Sequence, residues 1–537
     1  MNTSTAILLV LTIGSIFVPG EFSIPTWVEY IDEIILQKTG IPIHHFKLLE
    51  CLIFSYPLAD VLRSIPGRMS FVRNIFNIVI SLVFLIMIFN LWYGVQTVLI
   101  STTFAYIIVQ YVKGRFMPYV AFFFLMGHLS INHLYRQYGN IDQKLDVTCV
   151  HMVLCMKLTA FVWNFYDGQQ DELTLTPKQK EYALKKLPSL LDFLGYVFFF
   201  PSFFVGPSFD LADYHRWLAS GISASKENNL NEYQKRLIWN DRRYSVKKLF
   251  SGLFYLYMFQ WMSLRYSTTF VYEDQFFQMT CIQRFLYLYL LAFTHRLKYY
   301  GIWKLAEGAC VLSGLGDSIR DSDGNITQCF FENISPYGFE TAQSTKQLLD
   351  SWNKGANRWL KYYVYLRIVS HNKKRNAVGS IVTFMTSALW HGFYPGYYCK
   401  ENIAVAFCNL KNLLSFMTGA FAQILGRYLR KYLRPLFLTQ DMQPTSYKIV
   451  YDILSWLTTQ MTWAYIVQPF VLLNLRDSLL FWKSYDVYFR HWFYNTNIFL
   501  VLCAYWHFLS ISFILKSSSC IIGAIFIKKI VSDVFLY

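Results

Sequence analysis

Charge is scarce in this chain: Asp, Glu, Lys and Arg make up 15% of its 537 residues, against 54% hydrophobic and 19% aromatic residues. Also missing are a GxSxG nucleophile elbow, a phosphate-binding P-loop, an HExxH zinc helix and a GxGxxG turn. Serine hydrolase, ATPase, metalloprotease and dinucleotide-enzyme readings thereby lose their usual support. The ten cysteines, at 51, 149, 155, 281, 310, 329, 399, 408, 503 and 520, form no CxxC pair and no His-Cys cluster at ligand spacing. They read as small buried hydrophobes, and no metal site is expected. Solenoid repeats and low-complexity tracts are absent too, which argues against a binding scaffold.

What is present is apolar sequence from end to end, with a mean hydropathy of +0.29. Such recurrence predicts an all-α polytopic membrane protein formed as one domain over residues 1–537. Candidate spans fall near 6–19, 76–93, 95–112, 117–132, 146–163, 190–206, 249–263, 284–300, 379–397, 402–425, 451–474 and 496–526. With short members discounted, about eleven transmembrane helices are expected. The stretch 46–60 reads as too short to cross. Phe200-Pro201-Ser202 and Gly206-Pro207 interrupt apolar sequence, so re-entrant or broken helices around an internal chamber are expected.

Lys and Arg exceed Asp and Glu by 49 to 33, a net charge of +16. In a membrane protein this excess fits the positive-inside bias and anionic lipid surfaces, and a nucleic-acid partner is not inferred. The polar stretch 223–248, which reads as a loop, the cluster Arg427, Arg430, Lys431 and Arg434, and Lys373, Lys374 and Arg375 are assigned to the cytosolic side. Asn325-Ile326-Thr327 matches a glycosylation acceptor, used only if its loop is lumenal. Residues 7–18 read as a first membrane helix because no basic segment precedes them.

One histidine stands out. His391 lies inside the apolar run 381–398, where an ionisable group is costly unless a cavity or the bundle interior receives it. The run reads as a helix that Gly392 and Pro395-Gly396 stop, with Phe384 and Ser387 on its inner face. A neutral imidazole placed there can take a proton from a hydroxyl as that hydroxyl attacks an acyl carbonyl. Residues 351–368 carry helical periodicity, with Trp352, Trp359, Tyr363 and Leu366 on one stripe and Asn353, Asn357 and Lys361 on the next. The rings read as packing. Asn353 could stabilise an oxyanion or orient the attacking group. His44, His45, His215, His371 and His491 read as interfacial, and His128, His133, His151, His295 and His507 as structural hydrogen-bonding residues.

Ser351-Trp352-Asn353 followed by Trp390-His391-Gly392 resembles the membrane-bound O-acyltransferase family, whose histidine and asparagine these residues match in order. The runs LDSWNKGANRWLKYYVYLR and TFMTSALWHGFYPGYY look like its lysophospholipid acyltransferase branch, particularly the broad-specificity fungal members. Further matches are Lys157-Leu158-Thr159, Trp163-Asn164, Tyr166-Asp167-Gly168, Gly195-Tyr196, Gly206-Pro207, the segments from Ala306 to Gly316, and Asn333-Ile334-Ser335-Pro336. The resemblance covers roughly residues 40–515.

It implies a multi-helix bundle around a central reaction chamber, with acyl-CoA as cosubstrate from the cytosol and a lysophospholipid arriving from the membrane. By carry-over His391 is the base and Asn353 assists at the thioester. Trp163, Asn164, Asp167, Gly206, Pro207 and Glu307 match chamber-shaping motifs. Trp352 and Trp390, the aromatic members of the two main motifs, are further candidates for substrate binding. Lys361 and Arg367 are candidate contacts for CoA phosphates, although snorkelling to lipid headgroups would also explain them. No tightly bound cofactor is implied, a homodimer is compatible with the family, and residence in the endoplasmic reticulum membrane follows by analogy. Lys528-Lys529 lies too far from the last residue to act as a dilysine retrieval signal.

Two rivals stand beside this reading. Another branch of the family would acylate a sterol, a diacylglycerol or a protein, but the FYxDWWN-like pattern of the sterol and diacylglycerol branch is replaced here by Leu349-Asp350-Ser351-Trp352-Asn353. A lipid transporter or scramblase would also use broken helices and intramembrane polar residues, yet no inverted repeat is visible.

Overall fold

A computed structural model describes residues 3–466 apart from 18–29, 139–146, 220–231, 316–318, 370–376, 394–433 and isolated positions between 31 and 40 and between 439 and 447. The expected features at Lys373, Lys374, Arg375, Pro395, Arg427, Arg430, Lys431, 402–425 and 496–526 lie outside the described residues. The regular structure among the described residues is helical, except for a hairpin of β1 (Ile319–Arg320) and β2 (Ile326–Gln328).

From the N-terminus run α1 (Thr3–Phe17), α2 (Ile43–Ser64), α3 (Ser70–Val83), α4 (Trp92–Tyr111), α5 (Met117–Tyr138) and α6 (Thr148–Gly168). Three segments, Gly67–Ile88, Trp92–Tyr111 and Thr148–Gly168, are long and apolar enough on their own to cross a membrane. At two further expected spans the helices, Thr3–Ile16 and Leu190–Ser202, are apolar but shorter, and others carry polar residues. In α5, for example, Asn132 and His133 are buried. The most enclosed span is α6, with 83% of its apolar window buried, and it carries Lys157, Trp163, Asn164 and Asp167 into the interior.

The expected break in the next segment is present. After the short α7 (Pro177–Tyr182), helix α8 (Leu190–Val197) stops and a 3-10 turn follows over Phe200–Ser202. Freed carbonyls at that end need partners at membrane depth. The Lys157 ammonium donates to the carbonyls of Tyr196 and Val197, and the Ser81 hydroxyl donates to that of Phe198 at 2.7 Å. A cation at a helix C-terminus is also favoured by the helix dipole. Gly206 then takes φ +76 before a cis bond to Pro207, and the chain enters α9 (Leu211–Ala219).

Two expectations are corrected and one is refined. The stretch 46–60 belongs to a longer helix, the 22-residue α2 of about 33 Å, which is not among the segments apolar enough to cross. The charges that interrupt its apolar pattern have partners elsewhere: Arg63 pairs with Asp241 at 2.9 Å, and Asp60 with Arg242 at 3.1 Å. Most of the polar stretch 223–248 is not a loop, since the 32-residue α10 (Glu232–Ser263) begins within it. Finally, the helix expected over 351–368 is split: α14 (Thr345–Ser351) ends before Trp352, and a second helix starts after Asn353.

Helix α10 packs along α12 (Cys281–Leu312), which follows the short α11 (Asp274–Gln278). At their crossing the backbones nearly touch. A Cβ added to Gly252 would stand 2.7 Å from Leu305 Cγ, and one added to Gly301 would stand 2.5 Å from Leu256 Cγ. Beyond the hairpin come α13 (Pro336–Glu340), α14, α15 (Lys354–Leu360, continued by a π turn over Lys361–Tyr365 and by Leu366–Ile368), α16 (Ala377–His391) and α17 (Lys448–Ile466).

Candidate active site

Asn353 joins α14 to α15 with φ +42 and ψ +58. It is the N-cap of α15, where a helix leaves its first N–H groups without partners. Its Oδ1 accepts the Ala356 N–H at 3.3 Å. With the oxygen committed to the cap, the NH2 end of the carboxamide is the donor left for a ligand.

His391 is the last residue of α16, and Gly392, at φ +97, turns the chain away. The neighbouring Trp390 is buried: its indole N–H donates to the Met152 carbonyl on α6 at 3.0 Å, and its ring lies 6.0 Å from that of Trp359. Trp359 in turn donates to Thr159 at 2.8 Å. On the other side His133 Nε2 is 3.1 Å from the Trp390 carbonyl oxygen. The backbone at His391 is therefore clamped between α5 and α6, while its side chain stays accessible.

A cavity of about 1350 Å³ opens next to the residues that follow Asn353 and one turn before His391, although neither of the two is on its wall. Lys354 and Gly355, directly after Asn353, line it, as do Phe384 and Ser387, seven and four residues before His391. Helical spacing puts those two on the face that His391 continues, in agreement with the sequence reading. Drug-sized ligands occupy about 300–1,000 Å³, so this volume suits a longer substrate.

Four of the sequence candidates meet at one end of the cavity. Arg367 makes two hydrogen bonds to Asp167, at 2.7 and 2.6 Å, and its guanidinium lies 4.3 Å from the Trp163 ring centre. Asn164 donates to Asp210 at 2.9 Å, and the Tyr363 hydroxyl bridges Asp210 and the Asn164 amide oxygen. Arg367 is thus engaged by a carboxylate. Lys361 is exposed on the cavity wall and has no carboxylate partner among the described residues.

The remaining candidates sit off the cavity. Glu307 is fully buried and joins Lys304 at 2.8 Å, Lys248 at 3.0 Å and the Tyr244 hydroxyl. That network reaches the cavity wall indirectly, through Lys304 to Glu332 and from Glu332 to Lys354. Trp352 packs against Trp303 and Phe339, each with ring centres 5.3 Å away. Gly206 and Pro207 lead into the cavity-lining Ser208, Phe209 and Asp210.

The sequence did not single out Asp210 or Tyr363, and Asn333 was noted only within a matching motif. Asp210 lies in an irregular segment without periodicity, and Tyr363 was counted with the packing rings. The structural role expected of His128 and His151 is visible in a largely buried chain: both stand 2.9 Å from Ser101 Oγ, and His151 Nδ1 is 2.8 Å from the Asn132 amide.

The membrane-bound O-acyltransferase family model matches residues 133–468, more than half of the chain. A lysophospholipid acyltransferase of Schizosaccharomyces pombe is 36% identical over 451 residues, covering 84% of each protein. One from Saccharomyces cerevisiae is 37% identical over 470 residues, covering 85% of this chain and 73% of the relative. A mouse protein named membrane-bound glycerophospholipid O-acyltransferase 1 is 28% identical over 469 residues, covering 83% and 88%.

Proposed function

The chain belongs to the membrane-bound O-acyltransferase family, and from that premise we propose that it is a lysophospholipid acyltransferase with His391 and Asn353 as its reacting pair. The acyl group passes from acyl-CoA to the free glycerol hydroxyl of a lysophospholipid, giving a diacyl phospholipid and free CoA. His391 Nε2 or Nδ1 takes the hydroxyl proton as the oxygen attacks the thioester carbonyl carbon. Collapse of the tetrahedral intermediate breaks the carbon–sulfur bond, and the imidazolium returns the proton to the leaving thiolate.

The observation that carries the division of labour is the Asn353 cap. Because Oδ1 is held by the Ala356 N–H, Nδ2 faces the remaining task, donation to the carbonyl oxygen as negative charge develops on it. Such a donor typically contributes about 10²–10³-fold in rate. Of the two roles open from sequence, oxyanion stabilisation is the one this geometry supports.

The cavity takes the CoA portion of the donor, with Lys361 as the candidate phosphate contact and Arg367 assigned instead to holding Asp167. Gly206, Pro207 and Glu307 shape the chamber from behind. The enzyme is a multi-pass membrane protein, and we place it in the endoplasmic reticulum membrane. The names of the relatives favour a lysophospholipid over a sterol, diacylglycerol or protein acceptor, and acyl chemistry over lipid transport.

Membranes expressing the chain should release CoA thiol only when both an acyl-CoA and a lysophospholipid are supplied. Full activity in His391→Ala, or no product with any headgroup in a lysolipid panel, would sink the assignment.

A further inference from the structure

The motif Asn333-Ile334-Ser335-Pro336 has no part in the chemistry as described so far, yet it lies against the turn that presents Asn353. The carbonyl oxygen of Asn333 accepts the Lys354 N–H at 2.9 Å, and its side-chain Oδ1 accepts the Gly355 N–H at 2.9 Å. Ser335 N–H donates to the Ser351 carbonyl at 3.0 Å, on the other side of Asn353. Asn333 is only 3% exposed. The fit favours glycine at 355, since a Cβ there would stand 3.0 Å from Asn333 Oδ1 and push it back by a few tenths of an ångström. Glu332 adds an ion pair to the Lys354 ammonium.

An asparagine N-cap can give its side-chain oxygen to either of two N–H groups, the second or the third of its helix. Here these belong to Gly355 and Ala356. Asn333 takes the Gly355 N–H, so Asn353 Oδ1 is left with Ala356 alone, and one arrangement of its carboxamide is selected. A left-handed backbone at a non-glycine residue persists only where its surroundings hold it, and the segment 332–335 supplies that hold on both flanks.

We infer that Asn333 is a positioning residue: by occupying the Gly355 N–H it fixes the rotamer of Asn353 and aims its Nδ2 into the reaction. The inference rests on the reading of Asn353 as the carbonyl-binding donor. Without the Asn333 acceptor, the Gly355 N–H competes for Asn353 Oδ1 and turns the amide away. Ground-state contacts to either substrate are untouched, so the effect belongs in kcat rather than KM.

The test uses the full chain in membranes, with acyl-CoA and lysophospholipid varied in turn. Asn333→Ala should lower kcat about tenfold while both KM values stay within about twofold. Asn333→Asp keeps an acceptor for Gly355 and should recover kcat to within about threefold of wild type. In an Asn353→Ala background, Asn333→Ala should cause no further loss, because its route of action is already gone. Unchanged kcat in Asn333→Ala, a rise in KM alone, or an aspartate variant that elutes normally from a sizing column yet is as slow as the alanine variant would overturn the inference. Full activity in Asn353→Ala alone would instead overturn the reading of Asn353.

Discussion

His133 Nε2 donates to the carbonyl oxygen of Trp390 at 3.1 Å, tying α5 to the residue immediately before His391. A carbonyl can only accept, so the ring must carry its proton on Nε2. Space is tight on the same side, where a Cβ on Gly392 would stand 2.7 Å from the His133 ring. His133→Phe fills the site but removes the donor and should slow acyl transfer about five- to tenfold, the equivalent of one ordinary hydrogen bond. His133→Gln, which retains an N–H donor, should be faster than the phenylalanine variant when both are assayed in membranes at equal protein level. Equal rates would remove the bond from the account.

Asn353→Asp separates the two ends of that side chain. The carboxylate can still cap Ala356, but it has no N–H to offer and places negative charge where the oxyanion forms. Activity should fall as far as in Asn353→Ala, on the order of 10²-fold, while thermal stability in detergent stays nearer wild type because the cap survives. An active aspartate variant would refute donation by Nδ2.

Asp167 and Arg367 form a buried pair, with side chains 2% and 9% exposed. Removing one partner leaves an uncompensated charge, a loss of about 3–5 kcal/mol for such pairs. Asp167→Asn should therefore express poorly and melt well below wild type, whereas Asp167→Leu combined with Arg367→Met should recover much of the difference. Fluorescence-detected size exclusion after heating reads this directly. No recovery in the double variant would mean that the pair is needed for more than packing.

Burial alone would raise the Glu332 carboxyl, but Lys304 and Lys354 outweigh it and hold it below the usual value. A depressed carboxylate contributes stability that is present above its unfolded value of about 4.3 and is lost as pH falls through the folded value. Wild-type melting temperature should consequently drop below about pH 4.3 more steeply than that of Glu332→Gln. Parallel profiles would show that Glu332 has no share in the acid limb.

The acceptor motif at Asn325 sits on the hairpin that Asn240 and Asp241 anchor to α10, through Asp323 and Arg320. The next residues of the chain, Cys329 and Phe330, line the cavity assigned to CoA. A cavity supplied with acyl-CoA from the cytosol puts this asparagine out of reach of the lumenal glycosylation machinery. Endoglycosidase treatment should leave electrophoretic mobility unchanged and equal to that of Asn325→Gln. A shift would reverse the orientation proposed for this face.

Much of this architecture is legible along the chain. Apolar runs located α4 and α6 to within a few residues, Phe200-Pro201-Ser202 marked the break after α8, and Gly392 marked the end of the helix bearing His391. What a one-dimensional pattern does not carry is partnership between distant positions. The charges in α2 look like interruptions until Asp241 and Arg242 are brought beside them. Helical periodicity ran straight through Asn353, because phase is insensitive to a single left-handed residue whose support comes from a loop twenty residues earlier. Tyr363 looked like one more packing ring because only the fold reveals Asp210 under its hydroxyl.

The near contact between α10 and α12 limits how this chain can vary. Gly252 faces Leu305, and Gly301 faces Leu256, so a side chain at either glycine is admissible only if the opposing leucine is shortened in the same lineage. The two pairs should drift together or not at all. Lys304, which reaches Glu332, is the neighbour of Leu305 on α12, so this crossing stands one residue from the ion pairs that lead to the loop framing Asn353.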